Sequence, residues 1–304
     1  MKIGLLSKTP DNYSNSRLIE EAAKRDIEVL PIDYSHCDLI IDPLHPDIFY
    51  KGESLKHLDA VVPRVGLIKS TYGMAVIRQF EALNIYCLNS SLGISRARDK
   101  MRTLQLLAQK NLPFPSSAVA NDSMAGPKLL HHVGGVPTVM KLTEGMQGKG
   151  TVLAETENSA KSIIEAFSMM NTNLILQRFI KESKGTDIRA FVLNGKVVAS
   201  ISRSSEDDFR SNLHLGGKAI TIKLTPKERE IAVKAAKEFK LNMAGIDILR
   251  SDDGPLILEV NACPGLEGVE KTTGTNIAEK IVEFLIEHSE QVKTKPNYHK
   301  KTSL

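Results

Sequence analysis

Residues 243–265, M-A-G-I-D-I-L-R-S-D-D-G-P-L-I-L-E-V-N-A-C-P-G, form two apolar runs, each interrupted by a carboxylate, on either side of a turn signal. In a β-strand alternate side chains share a face. Glu259 and Asn261 therefore point one way, and Leu258 and Val260 the other. Asp247 sits between Ile246 and Ile248 in the upstream run, and S-D-D-G-P links the two runs into a hairpin. Centred on Asp253, that hairpin sets Asp247 directly opposite Glu259. Three oxygen ligands then converge on one sheet face, which suits a hard cation such as Mg²⁺, an ion that also takes phosphate oxygens and water.

The first hundred residues alternate short apolar runs with helical patterns. Strands are expected at 2–6, 27–32, 38–41, 59–62 and 85–88, and helices at 16–25, 70–82 and 91–97. This βα alternation predicts an α/β lobe built on a parallel sheet. No G-x-G-x-x-G follows the first strand, so a dinucleotide fold has little support. A helix at 99–110 ends before the breaker L-P-F-P. Strands are expected at 116–119, 137–141, 151–154 and 173–179, with a helix at 157–168. Runs 186–193 and 196–204 flank Asn194-Gly195, the strongest short hairpin signal in the chain. For a helix at 225–238, Thr225 is the cap, Pro226 sits in the first turn and Glu228 completes a capping box. A last helix at 275–288 puts Ile277, Ile281, Phe284 and Leu285 on one face.

The 304 residues are enough for two or three lobes. The expected division is 1–97, a βα domain; 98–180, a central subdomain with a glycine-rich loop; 181–290, a subdomain with the metal site; and 291–304, a basic disordered tail. Three scattered cysteines, Cys37, Cys87 and Cys263, show neither a disulfide framework nor metal spacing, which fits a reducing cytosol. The first apolar stretch is too short for a signal peptide and no run reaches transmembrane length, so a cytoplasmic protein with no membrane partner is expected. The net charge of +4 is compatible with an acidic substrate or a ribosomal partner, but an unremarkable surface is the default reading.

Several segments can carry chemistry. In E-G-M-Q-G-K-G at 144–150, glycines let backbone N–H groups approach phosphate oxygens. The spacing is not that of a Walker A loop, and a flexible hairpin turn accounts for it equally well. Lys141 closes the preceding strand, where it can meet a phosphate or simply face solvent. Asp99-Lys100 opens a helix, a solvated pair by default. Arg189 and Arg203 alternate with apolar residues, unusual unless the cation is paired or lines a cleft. They could bind a carboxylate or a phosphate, or form salt bridges. Arg210, Ser211 and Asn212 sit in a donor-rich loop, and His214 lacks a partner at ligand spacing. Cys263 has no base placed beside it, so a nucleophile there is disfavoured.

Taken together, a lysine before a helix, a strand-end lysine, a short glycine loop and a C-terminal D…E-x-N set resemble the ATP-grasp superfamily over nearly the whole chain. Within it, P-R-V-G at 63–66, D-K at 99–100, G-M-Q-G-K-G at 145–150, K-G-T-D-I-R at 184–189, D-F-R-S-N-L-H at 208–214 and E-V-N-A-C-P-G-L-E-G-V-E at 259–270 resemble the RimK-type α-L-glutamate ligases. The resemblance implies an ATP-grasp fold, α/β with α+β lobes, behind an N-terminal parallel-sheet pre-ATP-grasp domain.

It also implies an activity. ATP phosphorylates a carboxylate, an amine attacks the acylphosphate, and an amide, ADP and phosphate result. Lys100 and Lys141 would contact ATP phosphates, under a loop comprising Gly145, Gln147, Gly148, Lys149 and Gly150. The backbone of Arg178 and Phe179 would read adenine, and Asp187 would help hold the nucleotide. Asp247, Glu259 and Asn261 would bind two Mg²⁺ (or Mn²⁺). Arg203, with Asn212, would stabilise the transferring phosphoryl group, and Arg210 and Ser211 would complete the nucleotide-facing loop. Many relatives carry an acidic residue where this chain has Arg178, so adenine binding there would have to run through the backbone. The implied reaction adds L-glutamate to the C-terminal glutamate of a small-subunit ribosomal protein, with poly-α-glutamate synthesis as a related activity. An acidic acceptor would suit Arg64, Arg203 and Lys271. No direct reading of nucleic acid is implied, and a homotetramer is. Alternatives are a related ligase acting on an aminoadipate carrier protein or a glutamylated cofactor, and a synapsin-like nucleotide-binding scaffold without turnover.

Overall fold

The computed structural model describes residues 1–66, 70–120, 126–143, 150–168, 173–183, 185–205 and 217–293. Two compact units emerge. The first comprises Met1–Ile94, Gly265–Glu267 and the segment from Asn276 onward; the second comprises Ser95–Pro264 and Gly268–Thr275.

In the first unit the chain runs β1 (Lys2–Leu6), α1 (Tyr13–Ala23), β2 (Glu28–Ile32), β3 (Cys37–Ile40), β4 (Asp47–Tyr50), β5 (Glu53–Ser54), β6 (Ala60–Pro63), α2 (Ser70–Ala82) and β7 (Tyr86–Cys87). Strands β2-β1-β6-β7 form a parallel sheet in that order, as the βα alternation predicts. Its strands read as near-continuous apolar runs because both faces are covered: Ile3, Leu5, Leu6, Val61 and Val62 are all buried. A small antiparallel sheet, β3-β4-β5, has no counterpart in the expected elements beyond its first strand.

The second unit follows α3 (Ser91–Arg98) with α4 (Lys100–Gln109), β8 (Ser117–Ala120), α5 (Gly126–His132), β9 (Thr138–Leu142), β10 (Thr151–Ala154), α6 (Glu157–Ser168) and β11 (Leu174–Arg178). Then come β12 (Thr186–Leu193), β13 (Lys196–Ser204), β14 (Lys218–Thr221), α7 (Pro226–Glu238), β15 (Met243–Ser251), β16 (Gly254–Asn261) and α8 (Glu267–Thr273), after which α9 (Ile277–Lys293) belongs to the first unit. The antiparallel sheet β10-β9-β11-β8 packs Met140, Ala154, Leu174 and Leu176 against Leu130, Ala160 and Ile164 of α5 and α6.

The sheet β14-β13-β12-β15-β16 has two faces of different chemistry. Ile188, Ala190, Ile246, Ile248, Ile257 and Val260 are buried on the side where α7 contacts the strands. Asn194 and Gly195 adopt φ of 49° and 69°, the left-handed pair that a two-residue turn between β12 and β13 needs. Thr225 caps α7: its hydroxyl accepts from the Glu228 N–H at 3.2 Å, while its own N–H donates to Glu228 Oε2 at 2.8 Å. Helix α9 packs on α1 in the first unit and runs to Lys293, three residues into the range expected to be tail. Residues 294–304 lie outside the described residues.

Candidate active site

Strand register alone puts six polar groups on one sheet face. Arg203 stands opposite Asp187, Arg189 opposite Asp247, Asp247 opposite Glu259, and Gly245 opposite Asn261. Directly paired residues share a face, as do residues two apart. Arg203, Asp187, Arg189, Asp247, Glu259 and Asn261 therefore all project from the side away from α7.

Four of them form an alternating ion chain. Arg189 donates from Nε and Nη2 to the two oxygens of Asp247, at 2.7 and 2.6 Å. Arg203 holds Asp187 in the same forked manner, at 2.7 and 2.6 Å, and reaches Asp247 Oδ2 at 2.9 Å. Asp187, Arg203 and Asp247 are 4%, 4% and 3% exposed, so their mutual pairing is what offsets the cost of desolvation. Burial alone would raise the Asp247 pKa, but Arg189 and Arg203 together hold it below the ordinary aspartate value.

Glu259 differs sharply. Burial, with the negative charge of Asp247 behind it, raises its pKa against the opposing fields of Arg189, Lys141 and Lys100. Yet its side chain is solvent-exposed and makes no hydrogen bond or ion pair among the described residues. Glu259 is thus crowded by neighbouring groups while its side chain still meets solvent. Asn261 Oδ1 accepts from the Cys263 N–H at 2.9 Å, keeping one lone pair spare.

Two lysines complete the set. Lys100 is the first residue of α4, after the cap Asp99, whose side chain accepts from the Arg102 N–H. Its Nζ donates to the carbonyls of Leu142 and Thr143 at 3.1 and 3.4 Å, at the point where β9 leads into the glycine-rich segment. Lys141 Nζ donates to Gln177 Oε1 at 2.7 Å. Burial lowers both lysine pKa values, Lys141 to about 8, and the Glu259 charge opposes the shift in each case. Gly150 closes the β9–β10 connection at φ +73°, where a Cβ would stand 2.9 Å from Leu142 Cδ1, so a side chain there would be strained and would have to displace Leu142.

Other expected residues are placed less simply. The Arg178 N–H already donates to the Ser116 carbonyl at 2.8 Å, so that half of its peptide is closed to adenine. Arg178 does border a cavity of about 360 Å³, together with Phe114, Ser117, Ile180, Asp253 and Leu256, and Phe179 lies between two of these residues in sequence. Each Asp187 carboxylate oxygen accepts from Arg203, which leaves a lone pair on each. Arg203 itself is buried, Arg64 follows β6 in the first unit, and Lys271 lies in α8. Gly145, Gln147, Gly148, Lys149, Arg210, Ser211, Asn212 and His214 lie outside the described residues.

A divalent cation fits the donor chemistry. Among the described residues no cluster of three or more His, Cys, Asp or Glu could hold a metal, so Asp247 and Glu259 would need a further ligand of another type, such as the Asn261 amide oxygen. Glu259 offers an unpartnered carboxylate, Asn261 a lone pair, and Asp247 the one position its three arginine contacts leave. All three donors are oxygens, as a hard cation requires.

Residues 97–285 match the RimK-like ATP-grasp domain, and residues 1–94 the RimK PreATP-grasp domain. The chain belongs to the RimK-like ATP-grasp family. It is 48% identical over 296 residues to a probable alpha-L-glutamate ligase of Maridesulfovibrio salexigens, covering 97% of this chain and 98% of that one. A protein of the same description from Trichodesmium erythraeum is 49% identical over 286 residues, 94% and 96% of the two chains. In fold the chain resembles the ATP-grasp ligase PsnB, complexed with a phosphomimetic variant of its minimal precursor, Mg and ADP (TM-score 0.75, 22% identity, 95% and 98% coverage). It also resembles a RimK domain ATP-grasp protein of Sphaerobacter thermophilus (TM-score 0.69, 17% identity, 94% and 100% coverage). This RimK-like chain is thus an ATP-dependent carboxylate–amine ligase.

Two contributors to the site are hard to assign from sequence. Arg189 reads as an odd cation in a strand, but its hold on Asp247 follows only from the register. Gln177 does carry a visible signal, as a polar residue inside the buried run L-I-L-Q, though nothing in the run says what it would meet.

Proposed function

We propose that this ligase adds L-glutamate, through its amine, to the C-terminal glutamyl carboxylate of an acidic peptide, and that a small-subunit ribosomal protein is the acceptor. The observation that carries the proposal is the Glu259 carboxylate, without a partner among the described residues, opposite Asp247 and within the fields of Lys100, Lys141 and Arg189. Such a surface suits a metal-bound polyphosphate beside a second anion. A carboxylate oxygen of the acceptor attacks the γ-phosphorus, and the bond to the β-phosphate oxygen breaks. The glutamate amine then attacks the acyl carbon, phosphate leaves, and the amine loses a proton.

The chain's work is positioning and charge neutralisation. Lys100 and Lys141 hold phosphate oxygens. Asp187 orients Arg203 toward the transferring phosphoryl group and helps hold the nucleotide. Asp247, Glu259 and Asn261 would hold two Mg²⁺ or Mn²⁺, which would draw charge from the phosphate oxygens. The base lies toward the cavity bordered by Arg178, Ile180 and Leu256, with the Arg178 carbonyl and Phe179 as its backbone partners.

The deciding experiment incubates the purified protein with ATP, Mg²⁺ and isotopically labelled glutamate, alone and with a peptide ending in glutamate. Labelled glutamyl adducts with one ADP per amide are expected. ADP release without labelled product would remove glutamate from the reading, and the same label in a cell extract would identify the acceptor by mass.

A further inference from the structure

Three adjacent strands carry a hydrogen-bond relay that ends on Lys141. Lys141 of β9 donates to Gln177 Oε1 at 2.7 Å, Gln177 Nε2 of β11 donates to Ser117 Oγ of β8 at 2.9 Å, and Ser117 Oγ donates to the Pro115 carbonyl at 2.8 Å. The register explains the reach. Gln177 pairs directly with Ser117 on one side and with Val139 on the other, so Lys141 is its diagonal neighbour, two residues along β9. A long side chain spans that diagonal.

The polarity of the relay is fixed at each joint. An ammonium only donates, so it must meet the amide oxygen. That turns the amide nitrogen toward Ser117, whose own proton is already committed to Pro115. A flipped amide would set two donors against each other. Gln177 is 3% exposed, at a position where the neighbouring residues Leu174, Ile175 and Leu176 are apolar and buried. Burying an amide there is costly unless every group is satisfied, and here both ends are.

We propose that Gln177 is the positioning residue for Lys141, aiming its ammonium at the nucleotide while Ser117 locks the amide. The inference rests on the reading that Lys141 contacts ATP phosphates. A neutral acceptor suits this role, because an amide orients the ammonium and leaves its full charge for the phosphates, whereas a carboxylate would cancel it.

A double-mutant cycle tests this with the full-length protein and a non-hydrolysable ATP analogue in Mg²⁺, measured by calorimetry. Lys141→Met is expected to weaken binding about 100-fold and Gln177→Met about tenfold, the range for charge-assisted hydrogen bonds. In the Lys141→Met background, Gln177→Met should add almost nothing, because it acts through the missing ammonium. Gln177→Glu keeps the contact and cancels the charge, so it should also weaken the analogue, while the KM for glutamate stays put in both Gln177 variants. Additive losses, or wild-type affinity in both Gln177 variants beside a weakened Lys141→Met, would overturn the inference. Wild-type affinity in Lys141→Met would instead overturn the phosphate reading beneath it. Should Gln177→Met fail to fold, Gln177→Glu and Ser117→Ala carry the same cycle, with Ser117→Ala expected to cost a few-fold.

Discussion

Asp247 and Glu259 face each other across one hairpin, yet they should respond to mutation in opposite ways. Asp247 is a buried member of an ion chain, and Asp247→Asn strips Arg189 of its carboxylate partner and Arg203 of one of two. Breaking a buried pair by removing one partner costs roughly 3–5 kcal/mol. Urea unfolding should show a loss near the lower end, since Arg203 retains Asp187. Glu259→Gln removes a carboxylate with no partner among the described residues, so stability should move by no more than about 0.5 kcal/mol. Turnover should nevertheless fall by roughly a thousandfold if Glu259 holds a metal, whose charge stabilisation amounts to several kcal/mol. A Glu259→Gln enzyme with wild-type turnover would remove the metal role. Lys141 yields a pH prediction with two signs. Its pKa falls from 10.5 to about 8 on folding, so between those values the unfolded chain binds more protons. Stability from this group therefore rises with pH across that window, and below about pH 8 its penalty is fully present. If Lys141 holds ATP phosphates as proposed, it does so in the charged form, and ATP affinity should fall as pH rises above about 8. Calorimetry and thermal melts across pH 7–10 should show the two trends diverging, and parallel trends would refute the assignment.

At the scale of elements, the hairpin is instructive because sequence reaches the right pair by an incomplete route. A turn centred on Asp253 predicts Asp247 opposite Glu259, and that pair is present. The structure instead places Ser251 opposite Gly254 around a two-residue turn, then shifts register between Asp247 and Ile248, so that Leu258 is an extra residue in β16. The bulge restores the pairing that the tighter turn would have displaced. An apolar residue inside an apolar run gives no sign of being supernumerary, which is why the bulge is illegible in sequence. Strand β4 and helix α5 escape notice for a related reason: four and seven residues are too few for a periodicity to stand out. Long, capped or glycine-punctuated elements such as α7 and the β12–β13 hairpin are legible from local chemistry alone. The ion chain is not, since it depends on three strands meeting in one register. The close fit of this sheet is testable at Gly245, where a Cβ would stand 3.0 Å from Pro264 Cβ and 3.6 Å from Arg189 Nε. Gly245→Ala should cost about 1–3 kcal/mol by overpacking. It should also reduce turnover per folded molecule by disturbing the Arg189 grip on Asp247. A melting-point loss without any fall in turnover would show that the grip tolerates the crowding.

At the scale of the whole molecule, the chain returns to its beginning. A linear reading divides it at residue 97 and keeps 181–290 in one lobe, whereas the structure groups residues 276–293 with the first 94. The apolar face of α9, with Ile277, Ile281, Phe284 and Leu285 all buried, is visible in sequence, but nothing in that pattern says which surface it covers. The partner is α1. Arg25 donates to Glu279 and Glu283 at 2.9 and 3.0 Å, and Arg17 to Asn276 at 3.0 Å, so the two helices are tied by polar contacts as well as packing. A fragment of residues 1–97 would therefore keep all four strands of the parallel sheet and lose a helix that covers α1. Fully burying one large aliphatic or aromatic side chain contributes roughly 1.5–3 kcal/mol, and several such residues of α9 would go together. A domain's entire stability is only about 5–15 kcal/mol. The 1–97 fragment should accordingly lack a cooperative thermal transition and bind a hydrophobic dye. The same fragment joined by a flexible linker to residues 274–293 should recover a sharp transition in circular dichroism. If 1–97 melts cooperatively on its own, α9 is an accessory to this unit and the division at residue 97 is the physical one.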